Sequence, residues 1–310
     1  MMIEVIDFSS WNLYDGFAEG SGRSEKIWLK SASGQMGLFK YPKIDPVDNK
    51  ETTEHISEHI AHQIGEILHI PTAKVDIGIR DGRIGCMSYF VCEENETLQE
   101  GISFISGRYP YYNADTMRDE ESNRYYCIEH IFNSVPKGIP NRIWVEMMLF
   151  DFLIGNADRH QSNWALLFKV TIDKKVEVRL RQCPLYDNGS SLCCYVNEEQ
   201  VLALLGKDSV RFNALIDTKS LSMIRIDGTE KKRPTHRIVV NYLLEKYPIA
   251  REIAKEFIEK LNYQKISAVL DEYPEDILPN TKKELIRRYL LGKLEILDTD
   301  LKEVIANETK

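Results

Sequence analysis

The sequence is poor in the features that mark secreted and membrane proteins. Its six cysteines form no CxxC pair, and a chain of 310 residues does not need disulfide bridges, so we interpret them as free thiols in a reducing compartment. The most apolar stretch, residues 143–154, is interrupted by Glu146 and Asp151 and is too short to cross a bilayer. Residues 1–10 carry acidic side chains where a signal peptide has basic ones. We therefore expect a cytoplasmic protein without a membrane span, and secretion as an effector by a non-classical route stays open.

The chain also lacks an excess of positive charge. Lysine and arginine number 40 against 48 aspartates and glutamates, which gives a formal net charge of −8. A mildly acidic chain has no overall attraction to nucleic acids or anionic membranes, so we expect no direct nucleic-acid binding. A local basic group at residues 231–233, with Lys219 and Arg225, is either a patch near a substrate site or a solvated loop.

The N-terminal part of the chain has the pattern of strands with one helix. Residues 27–30 and 36–40 are short apolar runs on either side of a polar turn, which predicts a hairpin. Residues 75–79 alternate between apolar and other side chains, and a returning strand at 85–92 follows an Asp-Gly turn. Between these strand pairs, residues 51–68 place isoleucines at helical spacing.

The later part of the chain is mostly helical. Residues 142–154 predict a helix that is apolar nearly all round and therefore buried. A hairpin is predicted at 164–170 and 176–180. Two further helices are predicted, one over 249–261 and one that starts with a capping box at Thr281.

A polar break at residues 93–96 separates the two patterns. We therefore predict an α+β fold with a β-rich N-terminal lobe over 1–93 and a mostly helical C-terminal lobe over 94–310. A functional site is expected in the cleft between such lobes. Residues 102–141 and 195–236 carry no motif that indicates a function.

The strongest motif follows the buried helix, in the run Gly-Asn-Ala-Asp-Arg-His-Gln-Ser-Asn at residues 155–163. Asp158 and Asn163 are five positions apart, as in the catalytic loop of protein kinases. A second carboxylate, Asp187, follows the predicted hairpin in an Asp-Asn-Gly sequence, where a kinase places a metal ligand. Phosphoryl transfer needs a carboxylate near the incoming hydroxyl and oxygen ligands for Mg²⁺. The pattern therefore predicts a kinase.

These segments resemble the HipA-like bacterial serine/threonine protein kinases. The run IGNADRHQSNWALL, with PLYDNGSSL downstream, is similar to that family's N-x-D-x-H-x-x-N signature and its metal-binding aspartate. Upstream, residues 20–26 and the run IWLKSASGQMGLFKYPK resemble the family's phosphate loop and two strands, and TTEHISEHIAHQIGEILHIPTAKV resembles its N-lobe helix. The resemblance covers residues 18–190 in the family's order. The chain has no room for the extra N-terminal subdomain of full-length HipA toxins, so it resembles the short, stand-alone members and leaves an antitoxin partner open.

The resemblance implies a two-lobed protein-kinase-like fold, with nucleotide binding in the N-terminal lobe and catalysis and substrate binding in the C-terminal lobe. It implies ATP and Mg²⁺, or Mn²⁺ in its place, as cofactors. The implied acceptor is a serine or threonine of an unidentified protein, and autophosphorylation would make the chain a phosphoprotein. Asp158 would accept the proton of the acceptor hydroxyl, Asn163 and Asp187 would bind the metal, and His160 would complete the catalytic set by bracing the loop.

The same resemblance implies the residues of the nucleotide site. Lys40 would hold the α- and β-phosphates with Glu58 as its partner, but Glu54 is an alternative partner and Lys43 an alternative lysine. Ser21 and Ser24 are the expected autophosphorylation sites. The remaining expected contacts are the phosphate-loop residues Gly20, Ser21, Gly22, Arg23 and Ser24, and Phe90 and Cys92 beside the adenine.

Three alternatives stay open from the sequence. The segments ADRHQSNW and YDNGSS also resemble phosphatidylinositol kinases, which makes a lipid or small-molecule acceptor an alternative. A pseudokinase that binds nucleotide and acts by interaction is a second alternative. The run from His55 to His59 also fits the H-x-x-E-H pattern of zinc proteases, with Glu129 as a conceivable third ligand.

Overall fold

The computed structural model describes residues 2–16, 25–46, 49–172, 176–206 and 209–308. The strands are β1 (Ile6–Asp7), β2 (Asn12–Leu13), β3 (Lys26–Lys30), β4 (Met36–Lys40), β5 (Val75–Arg80), β6 (Arg83–Tyr89), β7 (Glu96–Glu100), β8 (Tyr112–Asn113), β9 (Arg118–Asp119), β10 (Arg124–Tyr125), β11 (Ala165–Ile172) and β12 (Val176–Gln182). The helices are α1 (Glu54–Leu68), α2 (Gly101–Arg108), α3 (Ile128–Ser134), α4 (Arg142–Ile154), α5 (Glu198–Leu205), α6 (Ser209–Ile216), α7 (His236–Lys246), α8 (Pro248–Lys260), α9 (Tyr263–Asp271) and α10 (Asn280–Glu308).

The chain forms two compact units, and each unit combines separated parts of the sequence. The first unit contains the chain up to Val91 together with residues 186–212 and 261–291. The second unit contains residues 92–185, 213–260 and the chain from Gly292 onward. The fold is α+β, as predicted. The assignment of residues 1–93 and 94–310 to separate functional lobes stays a prediction.

The first unit is built on a six-stranded sheet in the order β1-β5-β6-β4-β3-β2. Neighbouring strands are antiparallel except at one edge, where β1 runs parallel to β5. Both predicted hairpins are present. Their turns use left-handed backbone conformations at Gly34 (φ 90°), Asp81 (φ 50°) and Gly82 (φ 78°), which glycine and aspartate adopt more readily than most residues. In this register Lys40 lies opposite Cys86 in the sheet interior.

Helix α1 packs against β5 and β6 of this sheet. Its apolar stripe follows helical spacing, and Ile56, Ile60 and Ile64 are almost fully buried. The helix ends where His69 takes a left-handed conformation (φ 62°) and donates its N–H back to the carbonyl of Glu66. The predicted helix over 51–68 is therefore present, but it starts later, at Glu54.

The second unit is organised around α4, which has the predicted bounds. Ten of the eleven residues from Trp144 to Ile154 are buried, all except Glu146, and the helix packs against α7 and α8. The predicted hairpin is present as β11 and β12, and β7 joins it to give the order β12-β11-β7. A second, small sheet has the order β10-β9-β8.

Helix α10 passes from the first unit into the second near residue 291. It begins at Asn280, so Thr281 lies within the first turn and not at the predicted N-cap position. In the part of the chain that the structure describes, no helix is both long enough and apolar enough to cross a membrane.

Candidate active site

Lys40 lies between two carboxylates in the first unit. Its Nζ donates to Glu58 Oε2 at 3.1 Å and to Asp187 Oδ1 at 2.8 Å. The lysine comes from β4, the glutamate from α1, and Asp187 from the segment that follows the β11–β12 hairpin. Burial alone would lower the pKa of Lys40, but the carboxylates of Asp187 and Glu58 outweigh it and hold that pKa above its usual value. The ammonium is therefore permanently charged at physiological pH.

Glu58 uses both of its carboxylate oxygens. Oε2 accepts from Lys40, and Oε1 accepts the backbone N–H of Asn188 at 2.9 Å. Glu54, one helical turn earlier, pairs with Lys43 at 2.8 Å instead. The structure thus pairs Lys40 with Glu58 and Lys43 with Glu54, a choice that the sequence left open. One buried glutamate connects the lysine to the Asp-Asn-Gly segment.

The Asp-Asn-Gly segment lies close against α1. Asp187 has a left-handed backbone conformation (φ 57°), which aspartate tolerates better than most residues. A Cβ atom added at Gly189 would lie 3.0 Å from both the carbonyl oxygen of Glu54 and Oε2 of Glu58. Only glycine fits this close approach without displacement, so Gly189 helps to set the position of Asp187.

The residues after Gly189 are held from two sides. Glu54 Oε1 accepts from the hydroxyls of Ser190, at 3.3 Å, and of Tyr195. From α10, Lys282 Nζ donates to the backbone carbonyls of Cys193 at 2.6 Å and Val196 at 2.7 Å. Burial lowers the pKa of this lysine. The segment that begins with the proposed metal ligand is therefore fixed by side chains that the motif does not include.

The motif loop of the second unit is anchored by a buried ion pair. Arg159 binds Asp151 of α4 in a two-point contact, Nε to Oδ2 at 3.0 Å and Nη2 to Oδ1 at 2.9 Å. Its Nη1 donates to the carbonyl of Asn163 at 2.6 Å. Burial raises the pKa of Asp151, and Arg159 opposes that rise. Because removing one partner of a buried ion pair typically costs about 3–5 kcal/mol, this contact holds the loop strongly to α4.

Asp158, His160 and Asn163 lie together on this loop. The backbone N–H of Asp158 donates to Asn156 Oδ1 at 3.1 Å, and the Asp158 carbonyl accepts from Asn163 Nδ2 at 2.7 Å. His160 Nδ1 accepts the N–H of Ser162 at 3.1 Å. The bond from its amide nitrogen fixes the side chain of Asn163 to the backbone of the same loop. His160 acts here as a brace of the loop.

Two side chains from later in the sequence hold the same loop. Arg233 Nη2 donates to the carbonyl of Ala157 at 2.8 Å. His236 Nε2 lies 3.0 Å from the carbonyl oxygen of Asn156, and burial lowers the pKa of His236 to about 3. Arg233 belongs to the basic run 231–233 noted in the sequence, but its described contacts are backbone carbonyls.

Asp187 of the first unit and Asn163 of the second unit each carry a donor atom of the kind that Mg²⁺ prefers. Asp187 offers a carboxylate and Asn163 an amide oxygen, and Mg²⁺ prefers hard oxygen ligands, of which proteins usually supply only one or two beside phosphates and water. The fit to Zn²⁺ is poor. His55 and His59 are buried, His59 Nδ1 lies 2.6 Å from the hydroxyl oxygen of Tyr273, and Glu58 is already paired with Lys40. Among the described residues, no three His, Cys, Asp or Glu side chains are grouped to hold a metal ion.

The remaining predicted residues fall in three places. Phe90 belongs to the first unit, where its N–H donates to the carbonyl of Met36 at 3.0 Å and its ring contacts Trp28 edge-on at 5.9 Å. Cys92 begins the second unit and is partly buried. The phosphate-loop residues Gly20, Ser21, Gly22, Arg23 and Ser24 lie outside the described residues.

Sequence reasoning missed most of the residues that support the Lys40, Glu58 and Asp187 group and the motif loop. Asp151 carried a signal, because a carboxylate inside an otherwise apolar helix requires a buried partner. His236 and Lys282 carried none, since each acts across a separation of many residues.

Comparison with known proteins places this geometry in context. The serine/threonine-protein kinase CtkA of Helicobacter pylori is 24% identical over 296 residues, which cover 86% of this chain and 87% of CtkA. No protein-family model matches the sequence. The crystal structure of CtkA, described as a proinflammatory kinase, superposes with a TM-score of 0.76 at 17% identity and covers 97% of this chain and 99% of its own.

The chain has the HipA-like kinase fold. HipA of Shewanella oneidensis, solved as a complex with HipB and operator DNA, superposes with a TM-score of 0.51 at 14% identity. That match covers 94% of this chain but only 62% of HipA. The HipA-like kinase fold is therefore shared over nearly the whole described chain, and HipA contains substantial structure that has no counterpart in the match.

Proposed function

We propose that this chain is a serine/threonine protein kinase that transfers the γ-phosphoryl group of ATP in the presence of Mg²⁺. The observation that carries the proposal is the ion-paired group Lys40, Glu58 and Asp187, in a chain with the HipA-like kinase fold. The relative CtkA is named a serine/threonine-protein kinase, and it aligns over most of both chains.

Lys40 supplies a fixed positive charge for the α- and β-phosphates. This charge is balanced by Asp187 and Glu58. Nucleotide phosphates would compete with Asp187 for Lys40, and Asp187 would then offer a carboxylate oxygen to the metal. Glu58 would continue to hold Lys40 through the hydrogen bond that its Oε2 accepts from Lys40 Nζ.

Asn163 and Asp187 are the metal ligands in this proposal. A bound Mg²⁺ offsets the negative charge on the transferring phosphoryl group. Asp158 orients the acceptor hydroxyl and receives its proton, a role worth about 10²- to 10⁴-fold in rate for a general base. His160, Arg159 and Asn156 act indirectly by fixing the loop that carries Asp158.

The acceptor in this proposal is a protein hydroxyl, and the chain phosphorylates itself at Ser21 or Ser24. A phosphate at either position would carry close to two negative charges and would compete with ATP phosphates for the same loop, which would switch the enzyme off. Both serines are predictions from the resemblance alone.

Incubation with γ-³²P-labelled ATP and Mg²⁺ tests the function. Wild type and Asp187→Asn are compared by gel autoradiography and intact mass, with phosphoamino-acid analysis of any label. Protein-bound phosphoserine or phosphothreonine in the wild type, and at least 100-fold less in the variant, is the expected result.

Other outcomes of this experiment separate the alternatives. Label that appears only when phosphoinositide vesicles are added, and only in the lipid fraction, would replace the protein kinase by a lipid kinase. ATP binding without transfer to either acceptor would make the chain a pseudokinase. Absence of ATP binding in a thermal-shift assay would overturn the proposal as a whole.

A further inference from the structure

A chain of buried polar side chains leads from α10 to the loop that carries Asp158. Lys293 Nζ donates to Ser220 Oγ at 2.8 Å, and Ser220 Oγ lies 3.0 Å from His236 Nδ1. His236 Nε2 lies 3.0 Å from the carbonyl oxygen of Asn156. Lys293 and Asn156 are fully buried, and His236 and Ser220 are more than nine-tenths buried. We call Lys293, Ser220, His236 and Asn156 the buried chain.

The two ends of the buried chain set its direction. A lysine ammonium has only N–H donors, and a backbone carbonyl oxygen can only accept. His236 Nε2 must therefore carry a proton in order to bond to the carbonyl of Asn156. A neutral imidazole then has a bare Nδ1, which accepts the hydroxyl proton of Ser220. Ser220 in turn accepts from Lys293, so every bond in the buried chain points from Lys293 toward Asn156.

His236 stays neutral in this arrangement. Burial and the nearby positive charge of Lys293 lower the pKa of His236 to about 3, so it does not take up a second proton near physiological pH. Lys293 is also placed over the ring of Phe152, 4.5 Å from the ring centroid, where an ammonium ion is attracted to the aromatic face. His236 thus keeps the neutral state that the direction of the chain requires.

The buried chain ends at Asn156, which is hydrogen-bonded to the backbone of Asp158. The carbonyl of Asn156 is held by His236, its Nδ2 donates to Asp151 Oδ1 at 3.1 Å, and its Oδ1 accepts the backbone N–H of Asp158 at 3.1 Å. Asn156 is therefore fixed at three points, and one of them connects directly to the backbone of Asp158.

We propose that the buried chain is a positioning device for phosphoryl transfer, in which Lys293, Ser220 and His236 hold Asn156 so that Asp158 points at the acceptor hydroxyl. None of the three touches a reacting atom. The inference rests on the proposed function for its kinetic consequence, whereas the direction of the hydrogen bonds can be tested without any activity.

The test combines a spectroscopic and a kinetic readout. In wild type labelled with ¹⁵N-histidine, the ring-nitrogen resonances report which nitrogen of His236 carries the proton, and the spectrum of His236→Gln assigns them. We expect the Nε2–H form at pH 7, with an Nδ1 resonance that shifts in Ser220→Ala because its hydrogen bond is lost. Ser220→Ala and Lys293→Met should lower kcat about tenfold and leave the KM for ATP within about twofold, since substrate binding is not touched.

Lys302→Met is the matched control, because Lys302 lies on the same helix, is mostly exposed and contacts only Asp298 among the described residues. It should match wild type in both readouts. A proton on Nδ1 of His236 in the wild type would overturn the direction of the chain, and this result stands even if the variants fail to fold. Folded Ser220→Ala and Lys293→Met proteins with wild-type kcat would overturn the positioning role. A wild type that transfers no phosphate would instead contradict the proposed function.

Discussion

At the scale of single residues, Glu58 contacts two parts of the proposed site, although it lies outside the catalytic motifs. It bonds to Lys40 with one oxygen and to the backbone of Asn188 with the other. Removing Glu58 should therefore weaken ATP binding and also lower turnover.

Replacing Glu58 by glutamine separates its two roles. Glu58→Gln keeps an oxygen that can accept from Asn188 but loses the negative charge beside Lys40. Because a hydrogen bond to a charged group is worth about 1.5–3 kcal/mol, we expect kcat/KM for ATP to fall roughly 10- to 100-fold. Steady-state kinetics measures this. Glu66→Gln, on an exposed position of the same helix, is the control and should leave kcat/KM unchanged. Equal kinetics for both variants would argue against the role of Glu58.

Residue spacing predicted some of these positions and could not predict others. The motif spacing names Asp158, Asn163 and Asp187, and the family resemblance names Lys40 at the end of the first hairpin; the roles of all four stay predictions. The choice between Glu54 and Glu58 could not be made, because both lie on one face of α1. It depends on the register of β4, which places Lys40 beside Glu58 and Lys43 beside Glu54. That register is set by how β4 pairs with its neighbours in the folded sheet, and residue spacing does not determine it.

At the scale of elements, the contact between α1 and the Asp-Asn-Gly segment depends on a missing side chain. Gly189→Ala would place a methyl group 3.0 Å from Glu54 O and Glu58 Oε2. The segment must move away from α1 to relieve this, and overpacking of this kind typically costs about 1–3 kcal/mol. We expect a lower Tm and a reduced rate of phosphoryl transfer, measured by differential scanning calorimetry and a labelled-ATP assay.

Gly107→Ala is the control for that substitution. Gly107 lies in α2, and an added Cβ would meet nothing within 4 Å. Alanine is favoured over glycine in a helix by up to about 1 kcal/mol, so this variant should be as stable as wild type or slightly more so. If Gly189→Ala had the same Tm and transfer rate as Gly107→Ala, the close contact with α1 would contribute neither to stability nor to phosphoryl transfer.

Elements with a strong local pattern were predicted well. Helix α4 and the hairpins β3–β4 and β5–β6 follow from hydrophobic spacing and turn residues. Strand β7 was missed because its partner, β11, lies far along the chain, with Leu98 opposite Leu167. The short elements between residues 101 and 134 were missed for a related reason, since their sequence is rich in polar and aromatic residues without a clear period.

At the scale of the whole molecule, buried neutral histidines link stability to pH. Burial lowers the pKa of His55 and His59 to about 4, and that of His236 to about 3. In the unfolded chain these histidines titrate near the ordinary value of 6.5. Between about pH 6.5 and pH 4 the unfolded state therefore binds protons that the folded state does not, and the free energy of unfolding falls as the pH falls.

Urea unfolding at pH 7.5 and pH 5.5 measures this linkage. We expect lower stability at pH 5.5. The free energy of unfolding of His55→Leu should depend less on pH than that of wild type, because one buried neutral histidine is removed. The difference in slope should be at most about 1.4 kcal/mol per pH unit. Identical pH dependence in the two proteins would show that His55 is not held neutral by burial.

The fold of the whole molecule was accessible from the sequence only in outline. The order of motifs from residue 18 to 190 indicated a HipA-like kinase, and the superposition on CtkA extends over 97% of the chain. The order of the motifs did not predict that residues 186–212 and 261–291 belong to the first unit. Lys282 comes from one of these segments and binds the other, at Cys193 and Val196.

The proposed role of Asp158 is in the transfer step and not in the binding of ATP. It is tested most directly by measuring both properties in Asp158→Ala, with ATP affinity from isothermal titration calorimetry and phosphoryl transfer from rapid quench with labelled ATP. The account predicts an ATP Kd within about threefold of wild type and transfer reduced about 10²- to 10⁴-fold. Transfer at the wild-type rate in a folded Asp158→Ala protein would contradict it.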